Sequence, residues 1–89
     1  MELRIDFPSL PAGKTLLDVR RELDAILDDD GWLLTSGQEG AAGFVELELE
    51  DERTNPKHGI LAVKHYLQQA GFDPATTIDL AGTPVGIFQ

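Results

Sequence analysis

The chain has 89 residues, 42% of them hydrophobic and 26% charged, with no cysteine and a net charge of −9. That size and composition make residues 1–89 a single globular domain. The lack of cysteine excludes disulfides, iron–sulfur clusters and thiolate-zinc sites, and no apolar run approaches the ~20 residues of a membrane-spanning helix.

Glu2 to Phe7 alternates, with Leu3, Ile5 and Phe7 on one side and Glu2, Arg4 and Asp6 on the other. This is the pattern of a half-buried strand. Pro8 and Pro11 end it. Thr15 with Asp18 three residues on forms a capping box for a helix. Leu16, Val19, Leu23, Ile26 and Leu27 then form an apolar face, and Gly31 is the expected stop. Trp32 to Gln38 and Phe44 to Glu50 read as two strands of a hairpin, joined by a loop of roughly four to six residues. The second alternates Val45, Leu47 and Leu49 with Glu46, Glu48 and Glu50. Asn55-Pro56 opens a second helix, striped by Ile60, Val63, Tyr66, Leu67 and Ala70. Gly71-Phe72 predicts a Schellman ending, and Asp73-Pro74 prevents continuation. Thr76 to Leu80 is a further strand. After a turn at Gly82-Thr83-Pro84, Val85 to Phe88 is available as a short extra C-terminal strand.

The element order is β-α-β-β-α-β, an α+β chain whose two helices suffice to cover one face of a sheet. It resembles the ferredoxin-like two-layer sandwich, with an antiparallel sheet in the order fourth-first-third-second and both helices on one face. Leu23, Ile26, Val63 and Leu67 are the expected core. The first and third strands would then be central and would carry Glu2, Arg4 and Asp6 beside Glu46, Glu48 and Glu50 on their outer faces. That fold hosts many functions and names none.

Charge is unevenly spread. Asp18 to Glu52 holds twelve acids and two bases, and the rest holds four acids and five bases. Such a field repels nucleic acid and anionic membranes and attracts a basic protein surface. It also keeps a small protein soluble, which by itself explains nothing further. A small chain without covalent staples is expected in the cytoplasm.

Several motifs invite chemistry. Gly13-Lys14-Thr15 between a strand and a helix resembles the end of a phosphate-binding loop. Pro8 stands where that loop needs its first glycine, and Pro11 removes another backbone donor, so a stiffened turn with a Thr cap is the better reading. Asp28-Asp29-Asp30-Gly31 invites a calcium loop, but Ile26 and Gly37 stand where essential ligands belong. His58 and His65 lie two turns apart, ~10 Å, too far to share one metal ion. Neither has a Ser, Cys or His partner at a suggestive spacing. The small-residue stretch Ser36 to Gly43 reads as a hairpin tip. No cofactor, no metal and no catalytic set is expected.

The strongest signal is the row Glu46, Glu48, Glu50. Glutamate is a poor strand former, and like charges ~6.6 Å apart on one strand face repel. Such local conflicts concentrate at functional sites. Asp28, Asp29 and Asp30 add a second acidic candidate, disfavoured by the dipole at a helix end. The reading is a non-enzymatic binding domain of the inhibitor, immunity-type or adaptor kind, docking a basic protein through these acids. Mimicry of nucleic acid is a special case. The alternative is a small ferredoxin-like enzyme or ligand-binding domain, dimeric, with a pocket between sheet and helices. The sequence does not set the oligomeric state.

Overall fold

The structure is a computed structural model that describes residues 1–53, 55–80 and 82–88. Its elements are β1 (Glu2–Phe7), α1 (Leu16–Leu27), a short 3-10 turn (Asp28–Asp30), β2 (Gly31–Glu39), β3 (Ala42–Leu49), α2 (Pro56–Ala70), β4 (Thr77–Leu80) and β5 (Thr83–Gly86). The strands form one five-stranded sheet in the order β2-β3-β1-β4-β5, with every neighbouring pair antiparallel. The expected α+β composition, an antiparallel sheet with two helices, is therefore present.

The strand alternation fixes which side of the sheet is buried. Ile5 pairs with Val45 on one side and Ile78 on the other, and Leu3 pairs with Leu47 and Leu80. Leu3, Ile5, Phe7, Val45, Leu47 and Leu49 are no more than 3% exposed. They share one cluster with Val19, Leu23 and Leu27 of α1 and Val63 and Leu67 of α2. The two helices also contact each other.

Local signals set the helix ends. Thr15 Oγ1 accepts from the Asp18 N–H at 3.2 Å, and an Asp18 carboxylate oxygen accepts from the Thr15 N–H at 2.9 Å. Asn55 Oδ1 accepts from the Lys57 N–H at 3.0 Å, with Pro56 in the first helical position. At the far end of α2, the Gly71 N–H reaches Gln68 O at 3.3 Å and the Phe72 N–H reaches Leu67 O at 3.2 Å. This is the expected Schellman pattern. It turns Phe72 into the core, where its ring meets Phe7 edge-on at 5.8 Å between centroids.

Four details differ from the sequence reading. Ile26 is 39% exposed, and Leu27, one position on, is buried instead. The buried face of α1 drifts by about 40° at each four-residue step from Val19 to Leu23 to Leu27, which leaves Ile26 about 60° from its centre and about 100° from Leu27. Gly31 does not stop α1. Asp28 does, with φ +48°, its N–H bonded to Asp24 O. Gly31 is extended and matters for space, because a Cβ there would lie 2.6 Å from the Glu48 carbonyl oxygen. The hairpin turn has only two residues, Gly40-Ala41, since pairing runs to Glu39 opposite Ala42. Gly40 at φ +63° fits the first position of a type II′ turn, which matches the twist of the strands. Finally, β5 begins at Thr83 rather than Val85, and Pro84 is tolerated because β5 is an edge strand.

The packing yields two expectations. Leu23→Ala removes a fully buried side chain and should cost ~2–5 kcal/mol, whereas Ile26→Ala should cost less than ~1 kcal/mol. Urea unfolding of both variants checks the helix register. Thr76 is 0% exposed and its hydroxyl has no protein hydrogen-bond partner among the described residues. Thr76→Val keeps the shape and removes the orphan, so stability should rise by about 1 kcal/mol. A lower melting temperature would contradict that account.

Candidate functional site

The side of the sheet away from the core is charged. Cross-strand pairing sets Glu46 opposite Arg4, Glu48 opposite both Glu2 and Trp32, and Arg4 opposite Asp79. The outer face thus gathers Glu2, Asp6, Glu46, Glu48 and Asp79 around Arg4. Arg4 Nη1 donates to Glu46 Oε1 at 3.1 Å, and Arg4 Nε donates to Asp6 Oδ1 at 3.0 Å. The guanidinium lies 4.2 Å from the centre of the Phe44 ring. The Asp6 hydrogen bond, with Glu46 adding to it, raises the Arg4 pKa further. Arg4 is therefore a fixed cation that partly neutralises two carboxylates and leaves the Glu2–Glu48 pair facing each other. Like charges directly opposite across a ladder are destabilising.

The third acid of the row is placed differently. β3 ends at Leu49, and the Glu50 carboxylate turns to accept from the backbone N–H groups of Glu52 and Arg53 at 3.0 Å. Glu50 thus organises the turn after β3. Its own N–H donates to Asp30 O at 2.8 Å. That bond joins the two acidic runs, which are twenty residues apart in sequence, at one end of the sheet. Asp28 and Asp29 are exposed there and Asp30 is half-buried.

Trp32, two residues after Asp30 and opposite Glu48, is 47% exposed, and Leu34 on the same face is 41% exposed. Trp32, Glu48, Glu50 and Asp51 line a surface hollow of about 340 Å³. Leu34, Glu2, Arg4, Glu46 and Asp79 line another of about 220 Å³. Sequence reasoning missed Trp32 as part of the face, because an aromatic residue in a strand is normally counted to the core. The signal available was parity alone: Trp32 is in phase with Leu34 and opposite in phase to its less exposed neighbour Leu33.

The other motifs resolve as structure. Lys14 Nζ bonds both carboxylate oxygens of Glu22, at 2.9 and 2.8 Å, and Tyr66 OH donates to Glu22 Oε1 at 2.6 Å. The lysine of the phosphate-loop-like segment is thereby engaged in tying the β1–α1 loop, α1 and α2 together. His58 and His65 are exposed. Among the described residues there is no group of three or more His, Asp or Glu placed to hold a metal ion. Nor is any helix among them long and apolar enough to cross a membrane.

No family model, curated protein or solved structure matches the chain.

The Glu22 triad makes stability depend on pH. The hydrogen bond from Lys14, then that from Tyr66, lowers the Glu22 pKa below its ordinary 4.5. Burial first, then Glu22, raises that of Tyr66 above its ordinary 10.0. A carboxylate that binds its proton less tightly when folded contributes stability above its unfolded pKa and loses it as pH falls through the folded value. The gap in melting temperature between wild type and Glu22→Gln should be full at neutral pH and shrink below the ordinary Glu22 pKa of 4.5. A gap unchanged down to pH ~3 would remove the triad from the account.

Proposed function

We propose that this chain is a small acidic, non-enzymatic protein-binding domain of the inhibitor, immunity-type or adaptor kind. It docks on a basic protein surface through the outer face of the sheet. Its arrangement is read as ferredoxin-like, with both helices on one face and β5 added at the edge. The order β2-β3-β1-β4 and the single core shared by both helices support that reading.

The observation that carries the function is the composition of the outer face. Five carboxylates surround one arginine, and an exposed Trp32 sits at their border. Exposed aromatic residues next to complementary charge are what protein interfaces use as anchors. The like-charge pair Glu2–Glu48, opposite each other across the ladder, would gain a counter-charge from a basic surface. Glu46, Glu48 and Trp32 form the centre of the contact, with Asp28, Asp29, Asp30 and Glu50 at its end. The space between sheet and helices is filled by the buried apolar cluster, which weighs against a ligand pocket there. A cytoplasmic location and lack of direct nucleic-acid or membrane binding belong to the same reading, through charge repulsion.

Electrostatic docking is sensitive to salt. Partner association should slow markedly from roughly 50 to 500 mM salt, as the Debye length falls from ~14 to ~4 Å. Glu48→Lys turns a repulsive pair with Glu2 into an attractive one, so the fold should hold or gain slightly. Combining it with Glu46→Lys should weaken binding by at least ~2 kcal/mol, although the second change also sets a new cation beside Arg4. Capture from native lysate at low salt, followed by titration of the captured protein with the single and double variants, is the test. A partner bound equally well by both variants removes the outer face from the interface.

A further inference from the structure

We infer that β2 pairs with β2 of a second copy, antiparallel about a two-fold axis, to continue the sheet across a dimer. Among the described residues β2 is hydrogen-bonded to a strand on one side only, because it ends the sheet. An unpaired edge presents backbone donors and acceptors that only another extended strand can satisfy in full. The opposite edge is ill suited to this. β5 has four residues and contains Pro84, which cannot donate.

Charge selects the occupant. In a chain of net charge −9, residues 31–38 carry no charge, and the outer face carries most of the strand acids. Two copies meeting face to face would oppose their glutamates, whereas two copies meeting at β2 set no glutamate directly opposite another. Glu39 of each stands beside the Asp30–Gly31 end of the other, and Arg20, bonded to Ser36 at 2.6 Å, is a cation beside the edge. The strand also fits itself. β2 has an irregularity between Leu33 and Ser36, where the register against β3 shifts. An axis at Thr35, the middle residue of β2, puts both irregularities at the centre. The regular stretch 31–33 then lies opposite residues 37–39 of the other copy, and the reverse. Leu33 meets a glycine, Gly37, and Glu39 meets Gly31. Exposed Leu17 and Trp32, which line a hollow of about 350 Å³ beside this edge, lie next to the contact.

The two copies still repel at long range, so the dimer has a salt dependence opposite in sign to docking on a basic partner. Failure of one proposal therefore leaves the other standing. Sedimentation of the full chain at micromolar and millimolar concentration, in low and high salt, reads this out. The expected result is a species of twice the 9.7 kDa monomer mass at high concentration. High salt should tighten it, and Thr35→Glu, at an exposed position, should weaken it at least about tenfold through like charges at the axis. Thr35→Pro should do the same by removing a donor. If Thr35→Pro alters the circular dichroism spectrum, Thr35→Glu decides. A monomer at millimolar concentration in high salt overturns the inference. So does a dimer that high salt weakens, or one that Thr35→Glu leaves intact.

Discussion

Two short helices can cover only part of what a five-stranded sheet exposes. In this chain the consequence falls on β1, the middle strand, and on β3 beside it, the two longest of the three strands with neighbours on both sides. Their inward residues must be apolar to supply a core, and their outward residues must live in water. Period-two alternation makes those demands inseparable, since a slip of one residue would exchange the two faces. Leu3, Ile5, Val45 and Leu47 therefore fix where Glu2, Arg4, Glu46 and Glu48 stand. The acidity of the outer face is held in place by the hydrophobicity of the inner one.

The solvent face is not a uniform field. Arg4 is shared between Asp6 and Glu46 and lies over Phe44, so the middle of the sheet is locally compensated. Such exposed pairs add little to stability. Their effect is to order the side chains at the middle of the sheet, while further acids gather toward the end where β2 begins and β3 finishes. There the Asp30–Glu50 backbone bond makes one acidic border out of two sequence segments, with Trp32 inside it. The protein-binding reading rests on that combination of aromatic surface and clustered carboxylates.

Much of this was legible in the residues, for reasons that differ by element. Strand alternation at Glu2–Phe7 and Phe44–Leu49, the Thr15–Asp18 box, Asn55-Pro56 and Gly71-Phe72 are local signals whose physics is complete within a few residues. They placed the elements and brought Arg4 beside Glu46. What stayed hidden depended on tertiary context. Ile26 and Leu27 are equally apolar, and only the sheet beneath α1 decides which is covered. Ser36 to Gln38 carry a weak signal because small residues tolerate both loop and strand, and they pair with β3. Gly31 signalled a helix end, but its role is to let β2 approach the Glu48 carbonyl. The meeting of Asp30 with Glu50 follows from β2–β3 register, which no single segment contains.

The two-residue turn at Gly40-Ala41 bears on the order in which the chain assembles. β2 and β3 are adjacent in sequence, and hairpins of that kind close within microseconds. β1 has no local partner: Leu3 pairs with Leu47 and with Leu80. β1 is thus bonded only to segments made much later than itself. Such non-local pairing must bear a large loop-closure entropy before it gains contacts, which makes it the slow step of folding. Until β4 arrives, β1 is an open edge, with Ile5 waiting for Ile78.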